Sequence, residues 1–563
     1  MTAIEWIGSG FGEDVLAALA GQTGLAATVT AGERLVIDVS DSGQPTYDRV
    51  HRRLSAEHFR VAADPDGSGR VTIEACSRRG LRWAMVDLAR RRSEGEQTFD
   101  VSDGPAFGIR GVIEGFYGTP WSDEQRLEMI DFLAAHRFNT FLYSPKDDPF
   151  LRDRWREPHG DDAFHRLRST IDRCHDNDLT AMVGVSPGLS MQYSNEGDRA
   201  LLDDKVLALI DAGVDHVALL FDDIPPDLQH PADAGAFRSL AEAHADVSNH
   251  VADLLGARSV PLVVCPTVYH GVGDEDYVVT LGSLLDARVD LFWTGRAICA
   301  PSITAAEAVT FARGVLRPPL YWDNYPVNDV AMIHEAHLGP YRGRDPLLDR
   351  FSVGVMANAM EHAESSKIAL ATIADYLWAP AAYDPERSWD RALAEAGGPD
   401  AWALHCFADT VRGSCLSEPD PIDLGRELER FQFELAHGDA TGARTRLGAT
   451  GAQLARAATT LRSPAFFNQR LVDELQPWLD KFAIGADVVA ALATFTGCAG
   501  GDPHAADELR RMAGELAGRP HVVFGSALEM AIDRALASPC ERDVPPPAGP
   551  SRPDQPRSDK EQR

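Results

Sequence analysis

"HVALLFDDIPPD" runs from His216 to Asp227. Five apolar residues follow the histidine, then two adjacent aspartates, Asp222 and Asp223, then an isoleucine and two prolines. The apolar run reads as a buried strand. Neighbouring side chains on a strand point to opposite faces. Two consecutive carboxylates share one pocket only where the strand stops and the chain turns, and the prolines mark such a stop.

Seven other runs of this kind lie between Phe107 and Met360. They are "GIRGVIEGF", "NTFLYSP", "TAMVGVSP", "PLVVCPTVY", "DLFWTG", "PLYWDNYP" and "FSVGVMANAM". Helical patterns such as "DEQRLEMIDFLAAHR" and "DDAFHRLRSTIDRCHDND" separate them. Continuous apolar runs suit parallel strands covered on both faces. Eight strand-plus-helix units fit a (β/α)8 barrel, which takes roughly 250 residues. The barrel is expected over residues 104–390.

Residues 1–103 read as a small α/β domain. "RLVIDV" (34–39) and "RVTIEAC" (70–76) alternate like strands, and "GLRWAMVDLARRR" (80–92) carries apolar residues at helical spacing. Residues 391–538 lack strand patterns and hold long amphipathic stretches, as in a helical bundle. Residues 539–563 are Pro-rich and charged, with the composition of a disordered tail.

The chain has 563 residues, too many for one core, and a net charge of -31. That charge argues against nucleic-acid and anionic-membrane partners, both of which need basic patches. No stretch approaches the roughly 20 apolar residues that span a bilayer. The N-terminus lacks a basic segment, and Glu5, Glu13 and Asp14 interrupt its apolar run, so a signal peptide is not expected. The eight cysteines are scattered without a CxxC pair, which fits reduced thiols in a cytoplasm. "HEAH" (334–337) lacks the spacing of a zinc helix, and the glycine cluster that begins at Gly8 lacks the GxGxxG spacing. No metal or other cofactor is called for.

In a barrel the active site lies at the C-terminal ends of the strands. Those ends are polar and aromatic: Glu114–Gly118, Ser144–Asp148, Asp222–Asp223, Tyr269, Trp293–Gly295, Trp322–Asp329 and Asn358. Aromatic rings stack on the apolar face of a pyranose, and carboxylates and amides bond its hydroxyls. Two carboxylates in one site suggest glycoside hydrolysis. A retaining pair ordinarily sits on different strands, roughly 5 Å apart. Consecutive acids fit the substrate-assisted exception better, in which the substrate's own 2-acetamido carbonyl attacks the anomeric carbon.

The motifs "GVIEGFYGTPWS", "FNTFLYSPKDDPFLRDRWREP", "LLFDDIP", "CPTVY", "FWTG", "WDNYPVND" and "GVMANAM" occur in this order. Together they resemble the catalytic domain of the O-GlcNAcase family, family 84 of the glycoside hydrolases. The resemblance is strong over about residues 105–390. The first domain resembles the α/β domain that precedes this barrel in bacterial members. The helical region resembles the family's bundle more loosely, mainly through "LQPWLDKF" (475–482).

The resemblance implies that Asp222 polarises the acetamido group and that Asp223 is the general acid and then the base. It implies that Tyr269 and Asn324 contact the acetamido region and that Trp322 walls the sugar. Gly115 (through its backbone), Lys146, Asp329 and Asn358 are implied to bind ring hydroxyls, and Cys265 to line the N-acetyl methyl pocket. Glu114 is expected to support the barrel interior, and Asp147 and Asp148 to be structural. Asp323, between two matched residues, is left open to either face. His136, His159 and His175 read as ordinary helix or loop residues.

The implied substrate is a glycoside or glycoprotein bearing terminal N-acetylglucosamine. The alternatives are a binding module without turnover, for which an intact acid pair is unneeded, and an enzyme that cuts hyaluronan. The family's helical region can mediate dimers, and whether this chain forms a homodimer is left open.

Overall fold

Strands Arg34–Asp41 and Arg70–Ala75 pair in parallel in the first part of the chain, with Ala3–Ile7 on the outer side of the former. Phe59–Ala63 and Phe99–Asp103 extend the sheet antiparallel beyond Arg70–Ala75. A computed structural model of the chain describes residues 3–7, 11–29, 34–41, 46–48, 53–63, 70–417, 420–495 and 503–537. The expected tail, 539–563, and part of the glycine cluster at Gly8 lie outside the described residues. Helix Arg78–Ser93 buries Leu81, Trp83, Met85 and Leu88 on this sheet.

The eight apolar runs form a closed barrel of parallel strands. They are β1 (Ile109–Glu114), β2 (Thr140–Tyr143), β3 (Thr180–Val185), β4 (His216–Leu220), β5 (Leu262–Cys265), β6 (Asp290–Trp293), β7 (Leu320–Asp323) and β8 (Gly354–Asn358). Each pairs with its sequence neighbour, and β8 closes on β1 with Asn358 opposite Ile113. Alternate residues fill the interior, among them Ile113, Leu142, Met182, Leu220, Val263, Phe292, Leu320 and Met356. The residues between them face the helices and join a larger outer core. Sharp helix starts set the loop lengths: Ser122 with Gln125, and Thr304 with Glu307, form capping boxes.

Parity corrects one expectation. Ile113 is interior, so Glu114 points outward. It is fully buried between β1 and helix Asp123–Ala135, where Arg126 donates to it at 2.6 and 2.8 Å. Glu114 is a support, but of the layer outside the barrel.

Helix Ala363–Trp378 follows β8, and helices from Pro385 onward build a third core. That core meets the barrel along helix Gln469–Thr494. Its Glu474 accepts from the backbone N–H groups of Glu364 and Ser365 at the start of Ala363–Trp378. Among the described residues no helix is long and apolar enough to cross a membrane.

Candidate active site

Strand parity and one backbone turn place both aspartates in a single pocket. Leu220 is interior and Phe221 faces out, stacked on His244 with ring centroids 4.0 Å apart. Asp222 returns to the barrel axis. Asp223 would face away from it, but its φ is +54°, in the left-handed region that few non-glycine residues occupy. That turn brings Asp223 back over the same cavity. Strained backbone of this kind concentrates at functional sites.

The cavity, about 620 Å³, opens at the C-terminal ends of the strands. All ten residues singled out in the sequence line it: Gly115, Lys146, Asp222, Asp223, Cys265, Tyr269, Trp322, Asn324, Asp329 and Asn358. Gly115 has a steric reason to be glycine. A Cβ there would meet Trp322 Cζ2 at 3.0 Å and Ile113 Cγ2 at 2.8 Å.

The two carboxylates sit in different surroundings. Asp222 is buried, and Lys146 Nζ donates to its Oδ2 at 2.5 Å. Its Oδ1 is buried without a partner. Asp223 is exposed at the mouth. The Tyr117 hydroxyl donates to its Oδ2 at 2.8 Å and the Tyr269 hydroxyl to its Oδ1 at 3.0 Å. Burial, and after it the charge of Asp223, pushes the Tyr269 hydroxyl far above its ordinary pKa. Burial likewise raises Tyr117, so both stay protonated donors. Burial depresses the Lys146 ammonium most, but the charge and hydrogen bond of Asp222 together with Tyr117 outweigh it, and the net shift is upward. Burial raises Asp329, whose Oδ2 accepts the Tyr117 backbone N–H at 2.7 Å. Burial and Asp222 hold the Cys265 thiol neutral.

Asn324 binds its neighbours tightly. Its Oδ1 accepts from Trp322 Nε1 at 2.9 Å and from Asn358 Nδ2 at 3.1 Å, and its own Nδ2 donates to Ile298 O at 2.9 Å. Asn358 Oδ1 is a second buried acceptor without a partner.

Other strand-end residues fall outside the cavity. Asp323 is fully buried against Arg344, at 2.5 Å, and the Tyr341 hydroxyl. Trp293 packs in the outer core, while its neighbour Thr294 lines the cavity. Asp148 accepts from the Tyr143 hydroxyl and the Phe150 N–H, and Asp147 is exposed. Sequence reasoning gave no role to Tyr117, within "EGFYG", or to the wall of Ile298, Cys299 and Val330–Met332. The wall residues follow β6 and β7 in loops without periodicity, so no pattern marks them.

Residues 110–409 match the model of the beta-N-acetylglucosaminidase family. The chain belongs to that family. Its members are glycoside hydrolases. The Protein O-GlcNAcase of Rattus norvegicus is 32% identical over 272 residues, which are 47% of this chain and 29% of the rat protein. The chain therefore spans under a third of that relative's length. A variant of the O-GlcNAc hydrolase of Thermobaculum terrenum is 30% identical, with a TM-score of 0.73, covering 77% of this chain and 95% of that one. CpGH84B, at 22% identity, shares the fold over 95% of this chain and 96% of its own, with a TM-score of 0.82.

Proposed function

We propose that this member of the beta-N-acetylglucosaminidase family is a retaining exo-β-N-acetylglucosaminidase that works by substrate assistance. One observation carries the reading: the buried, unpartnered Oδ1 of Asp222, beside an Oδ2 already paired with Lys146. A buried acceptor left unsatisfied is costly, and a ligand N–H would complete it. An acetamido N–H is such a donor. Asp222 then draws on that N–H while the acetamido carbonyl oxygen attacks the anomeric carbon. Asp223, at the mouth, gives its proton to the departing oxygen as that C–O bond breaks. A bicyclic oxazoline forms. Asp223 next takes a proton from water as the water opens the oxazoline, and the β configuration is restored.

Cys265 and Trp322 supply the apolar floor, and Lys146, Asp329 and the free Asn358 Oδ1 meet ring hydroxyls. The cavity wall includes the exposed apolar residues Ile298 and Val330, and this reading sets the departing group against them. A polypeptide carrying the sugar suits that rim better than a second polyhydroxylated ring. The names of the rat and Thermobaculum relatives point the same way.

The test is release of the fluorophore from 4-methylumbelliferyl N-acetyl-β-D-glucosaminide, beside a substrate with a poor leaving group. Asp223→Asn should lose roughly 10²–10⁴ of rate on the poor leaving group and much less on the aryl glycoside. Asp222→Ala should lose on both, because it acts in the attack. A thiazoline mimic of the oxazoline should bind well above substrate affinity. Equal losses for Asp223→Asn on both substrates would count against its role. Thiazoline binding without any turnover would make the protein a binding module.

A further inference from the structure

The motif "LQPWLDKF" (475–482) lies outside the segment that matches the family model, yet it bonds to a loop that lines the pocket. Trp478 is 3% exposed, and its indole N–H donates to the backbone carbonyl of His334 at 2.9 Å. The same carbonyl accepts a second bond, from the Val522 N–H at 2.8 Å. Both donors belong to the helical region. Their acceptor lies in the loop that leaves β7 and carries Asn324 and Asp329.

That loop has little packing of its own near its tip. Of residues 330–334 only Met332 is half-buried, and Val330 holds a positive φ of +53°. Hydrogen bonds join the tip to Asp329. Met332 N–H donates to Asp329 O at 2.9 Å, Glu335 N–H to Met332 O at 2.8 Å, and Asn328 Nδ2 to Glu335 O at 2.8 Å. His334 is thus linked to Asp329 through its neighbour Glu335 and through Met332 and Asn328. The helical side is itself braced, since Lys481 Nζ donates to Arg519 O at 3.0 Å, just before Val522.

We propose that Trp478 is a positioning residue for the sugar pocket: from the helical region, its N–H and that of Val522 fix the loop that presents Asp329. This rests on reading the pocket as the sugar site. The helical region is then part of the working enzyme.

The test uses the full chain and 4-methylumbelliferyl N-acetyl-β-D-glucosaminide, with thiazoline Kd measured where turnover is too slow. Trp478→Phe keeps the ring and removes the donor. It should raise KM roughly three- to tenfold, the worth of one hydrogen bond, with kcat within about twofold. In an Asp329→Ala background the same change should move KM or Kd by less than about twofold, because coupled residues do not add. Lys481→Met, which frees the loop before Val522, should raise KM in the same way and carries the test if Trp478→Phe does not fold. An unchanged KM, or an equal rise in both backgrounds, overturns the proposal while wild-type turnover leaves the activity standing. Absence of wild-type turnover overturns the activity, and the positioning role with it.

Discussion

Lys146 Nζ and Asp222 Oδ2 lie 2.5 Å apart, with side chains 6% and 9% exposed. The resemblance casts Lys146 as a ligand of a ring hydroxyl. The ion pair gives it a second task, holding the carboxylate that must accept the acetamido N–H. Lys146→Met leaves that carboxylate buried and unpaired, which costs roughly 3–5 kcal/mol in other proteins. Urea unfolding should show a loss of that order. The folded fraction should lose kcat on good and poor leaving groups alike, because Asp222 activates the attacking acetamido group whichever group departs. A rise in KM alone would reduce Lys146 to a hydroxyl ligand.

Tyr117 and Tyr269 each hold one oxygen of Asp223. Removing either hydroxyl frees the carboxylate to rotate, and Tyr117→Phe should cost about tenfold in kcat/KM. Burial, reinforced by Asp223, raises both hydroxyls above their usual pKa. Neither therefore ionises below the ordinary tyrosine value of about 10. Any alkaline limb of the pH–rate profile below that value belongs to another group. It should persist in Tyr117→Phe and in Tyr269→Phe, and its disappearance in either would refute this assignment.

Asp329 offers a stability test with a definite sign. Burial raises its carboxyl, so the folded state holds the proton more tightly than the unfolded chain does. The stabilisation is fully present below the unfolded aspartate value, about 3.9, and is lost as pH rises through the folded value. Ionised Asp329 thus weakens the fold at neutral pH. Asp329→Asn can still accept the Tyr117 N–H. It should raise Tm relative to wild type at pH 7, with the gain gone near pH 3, and should raise KM. A Tm that falls at pH 7 would show that the charge stabilises the fold.

The barrel was legible because its strands are short apolar runs whose ends carry polar residues, as at Leu219–Asp223. The acid pair was legible because two carboxylates after a buried strand need a turn, and the positive φ of Asp223 is that turn. Gly115 was legible from the resemblance, and its clash with Trp322 supplies the cause. The orientation of Glu114 was not, since one residue of register decides inside from outside. Ile298 and Val330 were hidden for another reason: loop residues reach a pocket through backbone paths that no periodicity records. The bond between Trp478 and His334, 144 residues apart, depends on the packing of two separate cores.

Glu114 looks catalytic in sequence, at a strand end beside Gly115. Its carboxylate instead accepts two bonds from Arg126 and one from the Trp121 N–H at 3.1 Å, with no exposure to the cavity. Glu114→Gln keeps the shape and removes the charge that Arg126 needs. Breaking a buried pair in this way should cost roughly 3–5 kcal/mol, read by urea unfolding. Active sites counted by thiazoline titration should each keep kcat within about threefold, because Glu114 touches no reacting atom. A hundredfold loss of kcat per titrated site, with stability unchanged, would make Glu114 part of the chemistry and would place a third carboxylate in the mechanism.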